Sequence, residues 1–245
     1  MFRKIFFKKI RNFFGIFPSY FLIDFNKKNY SISDGFFWRT DNNFITIFNF
    51  SDLLNIFYLV KESNAEIIFF NKHGEMLKKL KFENLDFLHS LVIDRKFMNN
   101  VEDYGTFYIF HNTNSKFGSI LRNSCYTGYS VNKNLPSFVH GNLSTASKNL
   151  NNNKINFDII GKSFFKKNTY YVQNYLDAQK TEILLLNPTN NNLDINVNDK
   201  KYSLKNGGSK LINIDKKFIK IVSNCYLIRP IVFSYENEFL DVYHG

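Results

Sequence analysis

An all-β fold built as two related halves is what this sequence predicts, and three observations predict it. Aromatic residues are abundant, with 29 Phe and 14 Tyr in 245 residues, and with plentiful Val, Ile and Leu they suit the pleated surface of a strand. Short apolar runs are separated by turn formers, such as NKHG at 71–74, NPTN at 187–190 and NGG at 206–208, a pattern of closely spaced strands. The same segments also occur twice in the same order.

The repeat is clearest at two segment ends. GYSVNKNLPSFVHG (128–141) aligns without a gap on VFSYENEFLDVYHG (232–245). Ser130 falls on Ser234, Ser137 on Asp241, His140 on His244 and Gly141 on Gly245. Upstream, GTFYIFHN (105–112) resembles KFIKIVSN (217–224), and ITIFNFSD (45–52) resembles EILLLNPT (182–189). The segment 65–82 resembles 193–214. Repetition at a fixed order predicts an internal duplication. Each half is expected to be a β-sandwich of about seven strands, immunoglobulin-like in build; one pseudo-symmetric β structure is the alternative.

In chain order, the expected elements begin with a basic amphipathic segment, 1–28, carrying a short helix. Phe2, Phe6, Ile10, Phe13 and Phe17 recur at steps of three and four, with Lys4, Lys8 and Arg11 opposite. Pro18 ends that helix. Three readings fit it: a helix on an anionic membrane surface through residues 1–17, a secretory signal, or a helix packed on the body. The first sandwich half follows over 29–143, including a hairpin at 66–82 around Asn71–Gly74 and a short turn at 51–57. A polar, Asn-rich linker is expected at 144–154. The second half spans 155–245.

Composition narrows the function. The formal charge is +11, but Lys, Asn, Ile, Phe and Tyr are all high while Ala, Gly and Pro are low, as in an AT-rich coding genome. The charge is therefore read as solvated lysine, with no nucleic-acid partner. Arginine is scarce, so Arg39, Arg95, Arg122 and Arg229 are the informative cations. Cys125 and Cys225 form no CxxC and are expected to be buried thiols. The sequence has no HExxH, GxSxG or glycine-rich phosphate loop, so neither a metal nor a cofactor is expected.

Site candidates are few. DGFFWRTDNN (34–43) holds the sole Trp. Trp38 could stack on a pyranose while Arg39, Asp41 and Asn42 bond its hydroxyls; the other reading makes Trp38 a core anchor and Asp41-Asn42 a turn. Arg122 and Arg229 would bind an anion or pair with a carboxylate such as Asp241. His140 and His244 either cap the last strand of each half or meet across a pseudo-two-fold axis.

The strings WRTDN (38–42), EIIFFNKHGE, SFVHGN ending on Asn142, RPIVF and the final DVYHG resemble a group of uncharacterised bacterial proteins associated with surface-polysaccharide biosynthesis loci. The resemblance covers most of the chain after residue 30, with Gly35 standing where that group has a bulkier residue. It implies a genomic setting and no activity. The expected function is a non-catalytic glycan- or nucleotide-sugar-binding accessory protein, cytoplasmic and peripheral at the inner membrane face. A carbohydrate-active enzyme with its site between the halves is one alternative. An assembly protein pairing through sheet edges, as a homo-oligomer, is the other.

Overall fold

The computed structural model describes residues 6, 7, 10 and 14, and 30–245 without 84, 86, 114–124, 158–159, 164, 174–177, 217 and 238. Apart from those first four residues, which are helical, the N-terminal expectations lie outside the described residues, as does Arg122. From Tyr30 on, the described residues are all-β apart from one short helix and a 3-10 turn.

The first half holds β1 (Tyr30–Arg39), β2 (Phe44–Phe50), β3 (Ser63–Asn71), β4 (Met76–Phe82), β5 (His89–Ile93), β6 (Tyr104–Thr113), β7 (Tyr126–Val131) and β8 (Ser137–His140). Helix α1 (Leu53–Tyr58) follows β2; Asp52 caps it by accepting from the Asn55 N–H at 3.0 Å. The chain continues through β9 (Asn142–Asn149) and β10 (Ile155–Asn156). The second half holds β11 (Asn168–Gln173), β12 (Lys180–Leu186), β13 (Leu193–Val197), β14 (Lys200–Leu204), β15 (Ser209–Ile214), β16 (Phe218–Ser223), β17 (Ile231–Glu236) and β18 (Phe239–His244).

The strand orders of the halves correspond. The first half pairs β5-β2-β7-β8 in one sheet and β1-β6-β3-β4 in the other, with β9 and β10 added beyond β1. The second pairs β15-β12-β17-β18 and β11-β16-β13-β14. Adding ten to a strand number in the first half gives its counterpart in the second. The order is not the immunoglobulin one, in which the first strand pairs with the second; here β1 pairs with β6, which corrects that expectation.

Burial follows the side-chain period. In β2, Phe44, Thr46, Phe48 and Phe50 are buried and alternate with half-buried positions. Phe36, Trp38, Phe48, Phe69, Phe107 and Ile109 form the core shared by the first two sheets. Ile183, Leu185, Ile195, Ile219, Ile221 and Val232 do the same in the second half. The run Ile183–Leu186 is apolar at every position because β12 is covered on both faces. Its Leu184 and Leu186, with Ile231, Phe233 and Val242, pack against Phe37, Phe44, Tyr129 and Val139 of the first half. Each such side chain, fully buried, stabilises by about 1.5–3 kcal/mol, so the halves are joined by a hydrophobic interface. Asparagine serves the turns: Asn198 and Asp199 have φ of 46° and 71° and join β13 to β14 as a two-residue loop of the kind that needs left-handed backbone.

The expected linker is not one. Residues 144–149 belong to β9, which pairs with β1 from Tyr30↔Asn149 to Gly35↔Asn142. Ala146 and Ser147 are small enough to bury there, and Lys148 reaches Glu66 of β3. Polar composition misled because a strand with one ion-paired lysine and small neighbours reads as a loop.

Candidate functional site

Arg39 ends β1 at the seam between the halves and is completely buried. Its Nε and Nη2 donate to Asp41 Oδ1 and Oδ2 at 3.0 and 2.7 Å, a bidentate pair. Its Nη1 donates to Glu182 Oε2 of β12 at 2.9 Å and to the Tyr235 hydroxyl of β17 at 3.2 Å. The guanidinium lies 3.8 Å from the Phe44 ring centroid and 4.7 Å from that of Phe233, so two aromatic rings set at right angles to each other pack against it. Lys180 Nζ holds the other Glu182 oxygen at 2.8 Å.

Burial alone would lower the Arg39 pKa. The Asp41 hydrogen bond and the neighbouring Tyr235, Asp41 and Glu182 outweigh it, so the guanidinium stays charged. Burial alone would raise Glu182; the Arg39 charge and the hydrogen bonds from Lys180, Tyr235 and Arg39 hold it below the usual carboxylate range. Both carboxylates are engaged at both oxygens, Asp41 by Arg39 and Glu182 by Arg39, Tyr235 and Lys180, and the centre clamps the halves together.

Trp38 is likewise completely buried, and its Nε1 donates to the Phe70 carbonyl at 2.9 Å. It lies over Gly105, its cross-strand partner, where an added Cβ would come within 2.7 Å of the indole nitrogen. It offers no face to a sugar, so of its two readings the core anchor holds and the stacking role does not. Asn42 is exposed, at φ 49°, and its amide donates to Asp41; Asp41-Asn42 is the turn into β2.

The two His-Gly pairs have a common geometry. Each Gly lies where the chain leaves the hairpin of its half and passes over a strand of the other sheet. A Cβ on Gly141 would stand 2.5 Å from the Phe36 ring, and one on Gly245 would stand 2.5 Å from Val172. Phe36 and Val172 sit at matching registers, opposite Phe107 and Ile219. The motif is a backbone crossing that a side chain would block. Beyond it, Asn142 is buried, pairs with Gly35 and leaves its Oδ1 without a partner among the described residues.

The hairpins β7–β8 and β17–β18 meet. Ser137 Oγ donates to Asp241 Oδ1 at 3.3 Å and accepts from the Val242 N–H at 3.0 Å. His140 is exposed and packs on Tyr126, with ring centroids 4.3 Å apart. His244 is half-buried beside the backbone of His140 and Pro230, without reaching hydrogen-bonding geometry. Burial, then the charge of Arg229, pushes its pKa down to about 4. The structure therefore brings together His140, His244, Arg229 and the Asp241 hairpin, while Arg229 itself is exposed. Among the described residues no group of three or more His, Cys, Asp or Glu is placed to hold a metal ion.

At the tips of these hairpins lies a groove of about 560 Å³, lined by Lys133, Asn134, Leu135, Pro136, Ser137, Phe239 and Leu240. Leu135 and Phe239 are 87 and 76% exposed. Sequence reasoning missed the groove and the clamp partners Glu182 and Tyr235. A carboxylate at the head of the buried run EILLL was the one signal that could have found Glu182. Both cysteines are free and buried; burial pushes the Cys225 thiol up to about 12 and the Cys125 thiol up as well.

No protein-family model matches the chain, and the curated proteins give no match. Among the described residues no helix is long and apolar enough to cross a membrane.

Proposed function

We propose that this chain is a non-catalytic binding module for a glycan or glycan precursor such as a nucleotide-sugar, and that the ligand lies in the groove between the hairpin tips. The observation that carries this reading is the exposed Phe239 ring beside Lys133 and Asn134 in a concave site. An open aromatic face next to a cation and an amide is the combination that holds a sugar ring and an attached anionic group. We read the halves as related β-sandwiches produced by internal duplication, supported by the shared strand order and the aligned His-Gly segments. The resemblance to proteins of surface-polysaccharide loci supports a cytoplasmic setting at the inner membrane face, with residues 1–17 against the lipid.

The enzyme reading would use His140 and His244, but neither lines the groove. The assembly reading has an observation of its own: among the described strands β11 pairs with β16 alone.

The test is a thermal-shift and calorimetric titration of the full chain with neutral oligosaccharides, acidic oligosaccharides and nucleotide-sugars. Binding to the native state raises the melting temperature by mass action. One class is expected to bind, and Phe239→Ala is expected to weaken it about tenfold or more with little change in melting temperature, a stacking loss of about 1–3 kcal/mol. Binding that survives both Phe239→Ala and Lys133→Ala would place the site elsewhere, and no shift with any class would sink the glycan reading.

A further inference from the structure

The sequence holds one Asn-Gly pair, Asn206-Gly207, and it lies in the turn between β14 and β15. The Gly208 N–H donates to the Lys205 carbonyl at 2.9 Å, so Asn206 and Gly207 are the central residues of a four-residue turn. Such a turn does not use the N–H of its third residue, and that of Gly207 makes no hydrogen bond among the described residues. Gly207 has φ 64°, a conformation glycine adopts without cost. The Asn206 side chain is exposed and also makes no hydrogen bond among the described residues. A free backbone nitrogen therefore follows directly on a free side-chain amide, and Gly207 has no Cβ to keep the two apart.

The backbone of the same turn is packed against the first half. A Cβ on Gly74 would run into the Asn206 carbonyl, and one on Gly208 would stand 3.0 Å from the Lys72 carbonyl. The Ser209 N–H donates to that Lys72 carbonyl at 3.0 Å. Thr106 Oγ1 donates to the Gly207 carbonyl at 3.3 Å. The Phe157 ring lies 3.3 Å from where a Cβ on Gly207 would stand. From its own half, Asn187 Nδ2 donates to the Lys205 carbonyl at 2.9 Å. The turn of one half is thus seated, backbone against backbone, on the Asn71–Gly74 turn of the other.

We propose that Asn206-Gly207 is a site of spontaneous deamidation, and that its isoaspartyl product loosens the docking of the halves. The Gly207 nitrogen attacks the Asn206 side-chain carbonyl carbon and gives up its proton. A new C–N bond forms there, the bond to the amide nitrogen breaks, and ammonia leaves with that proton. The product is a five-membered succinimide ring, which water opens at either carbonyl. Opening at the side-chain carbonyl leaves an aspartyl residue on the original backbone. Opening at the main-chain carbonyl routes the chain through the former side chain, one backbone atom longer. The longer turn cannot keep both its own Lys205–Gly208 bond and the Lys72–Ser209 bond to the first half, and a buried backbone group left without a partner is destabilising. The aspartyl product keeps both. Neither Asn206 nor Gly207 lines the groove, so the inference is independent of the glycan reading.

The test is to age the full chain in mildly alkaline buffer, which favours loss of the Gly207 proton, and to map its peptides by mass spectrometry. Residue 206 is expected to gain the mass of an amide-to-acid conversion faster than any other asparagine of the chain, giving aspartyl and isoaspartyl forms. The isoaspartyl chain, separated by ion exchange, is expected to unfold at a lower urea concentration than the fresh chain, followed by Trp38 fluorescence. Asn206→Gln should stop the conversion, because its ring would be six-membered and closes far more slowly. Fresh Asn206→Asp supplies the charge on the original backbone and should unfold like the wild type. Both substitutions change an exposed side chain, and the wild-type map needs no variant. Residue 206 left intact while other asparagines convert, or converted to the aspartyl form alone, overturns the proposal. So does an isoaspartyl chain that unfolds like Asn206→Asp.

Discussion

Replacing Arg39 with Met should destabilise the protein by about 3 kcal/mol and loosen the halves from each other. Methionine conserves much of the volume and the contact with Phe44 and Phe233, so the loss is mainly electrostatic. It leaves Glu182 (4% exposed) and Asp41 (16% exposed) facing a site without its cation. Breaking a buried pair from one side costs about 3–5 kcal/mol. Lys180 at 2.8 Å and the Tyr235 hydroxyl at 2.5 Å remain on Glu182, which puts the expectation at the lower end. Because Arg39 and Asp41 belong to the first half and Glu182 and Tyr235 to the second, the variant should also lose cooperativity. The assay is urea unfolding followed by Trp38 fluorescence, which reports the first half, and by far-UV circular dichroism, which reports both. In the wild type the two curves should coincide; in Arg39→Met they should separate. Adding Glu182→Leu should restore about 1–2 kcal/mol, because removing both charges leaves less unpaired than removing one. Arg39→Lys should recover little, since an ammonium cannot make the bidentate pair. A loss below about 1 kcal/mol for Arg39→Met, or a double variant as unstable as the sum of its singles, would refute the clamp.

Acid should weaken the fold through His111, which lies buried near Asp52 and His89 with neither ring nitrogen partnered among the described residues. Burial is the main cause holding its pKa down to about 4, against an ordinary 6.5. Between these values the unfolded chain binds a proton that the native state refuses. Stability is therefore complete above about pH 6.5 and falls towards pH 4, by about 3 kcal/mol for this one group. Urea midpoints at pH 7 and pH 4.5 should show the slope, and His111→Leu should flatten it; an unchanged slope would mean another group titrates. Gly141→Ala should cost about 1–3 kcal/mol, because its Cβ would lie 2.5 Å from the Phe36 ring and 2.8 Å from the Asp34 Cβ. A melting temperature equal to wild type would show that β9 can shift away.

Several features were legible in the chain alone. Strand identity came from short-range pattern: FITIFNF alternates, EIIFFNKHGEMLKKLKF carries its turn at Gly74, and both are strands as read. The alignment of 128–141 with 232–245 also paired segments that occupy corresponding places, since β7–β8 and β17–β18 hold the same positions in their sheets. That much is local, set by side-chain period and turn chemistry. The role of DGFFWRTDNN was not local. A Trp-Arg-Thr-Asp-Asn string is equally suited to a sugar-binding surface and to a seam, and only the arrival of Glu182 and Tyr235, at sequence separations of 143 and 196, chose the seam. STASKN (144–149) read as part of a linker because its place depends on Glu66 and on the edge of β1. The groove at Phe239 is likewise a product of how the halves dock. The sequence by itself determined which residues extend and where the chain turns, because those energies act between near neighbours. Tertiary structure decided which face is wet, which charge is paired and which strands share a sheet, because those depend on contacts that exist only once distant strands have met.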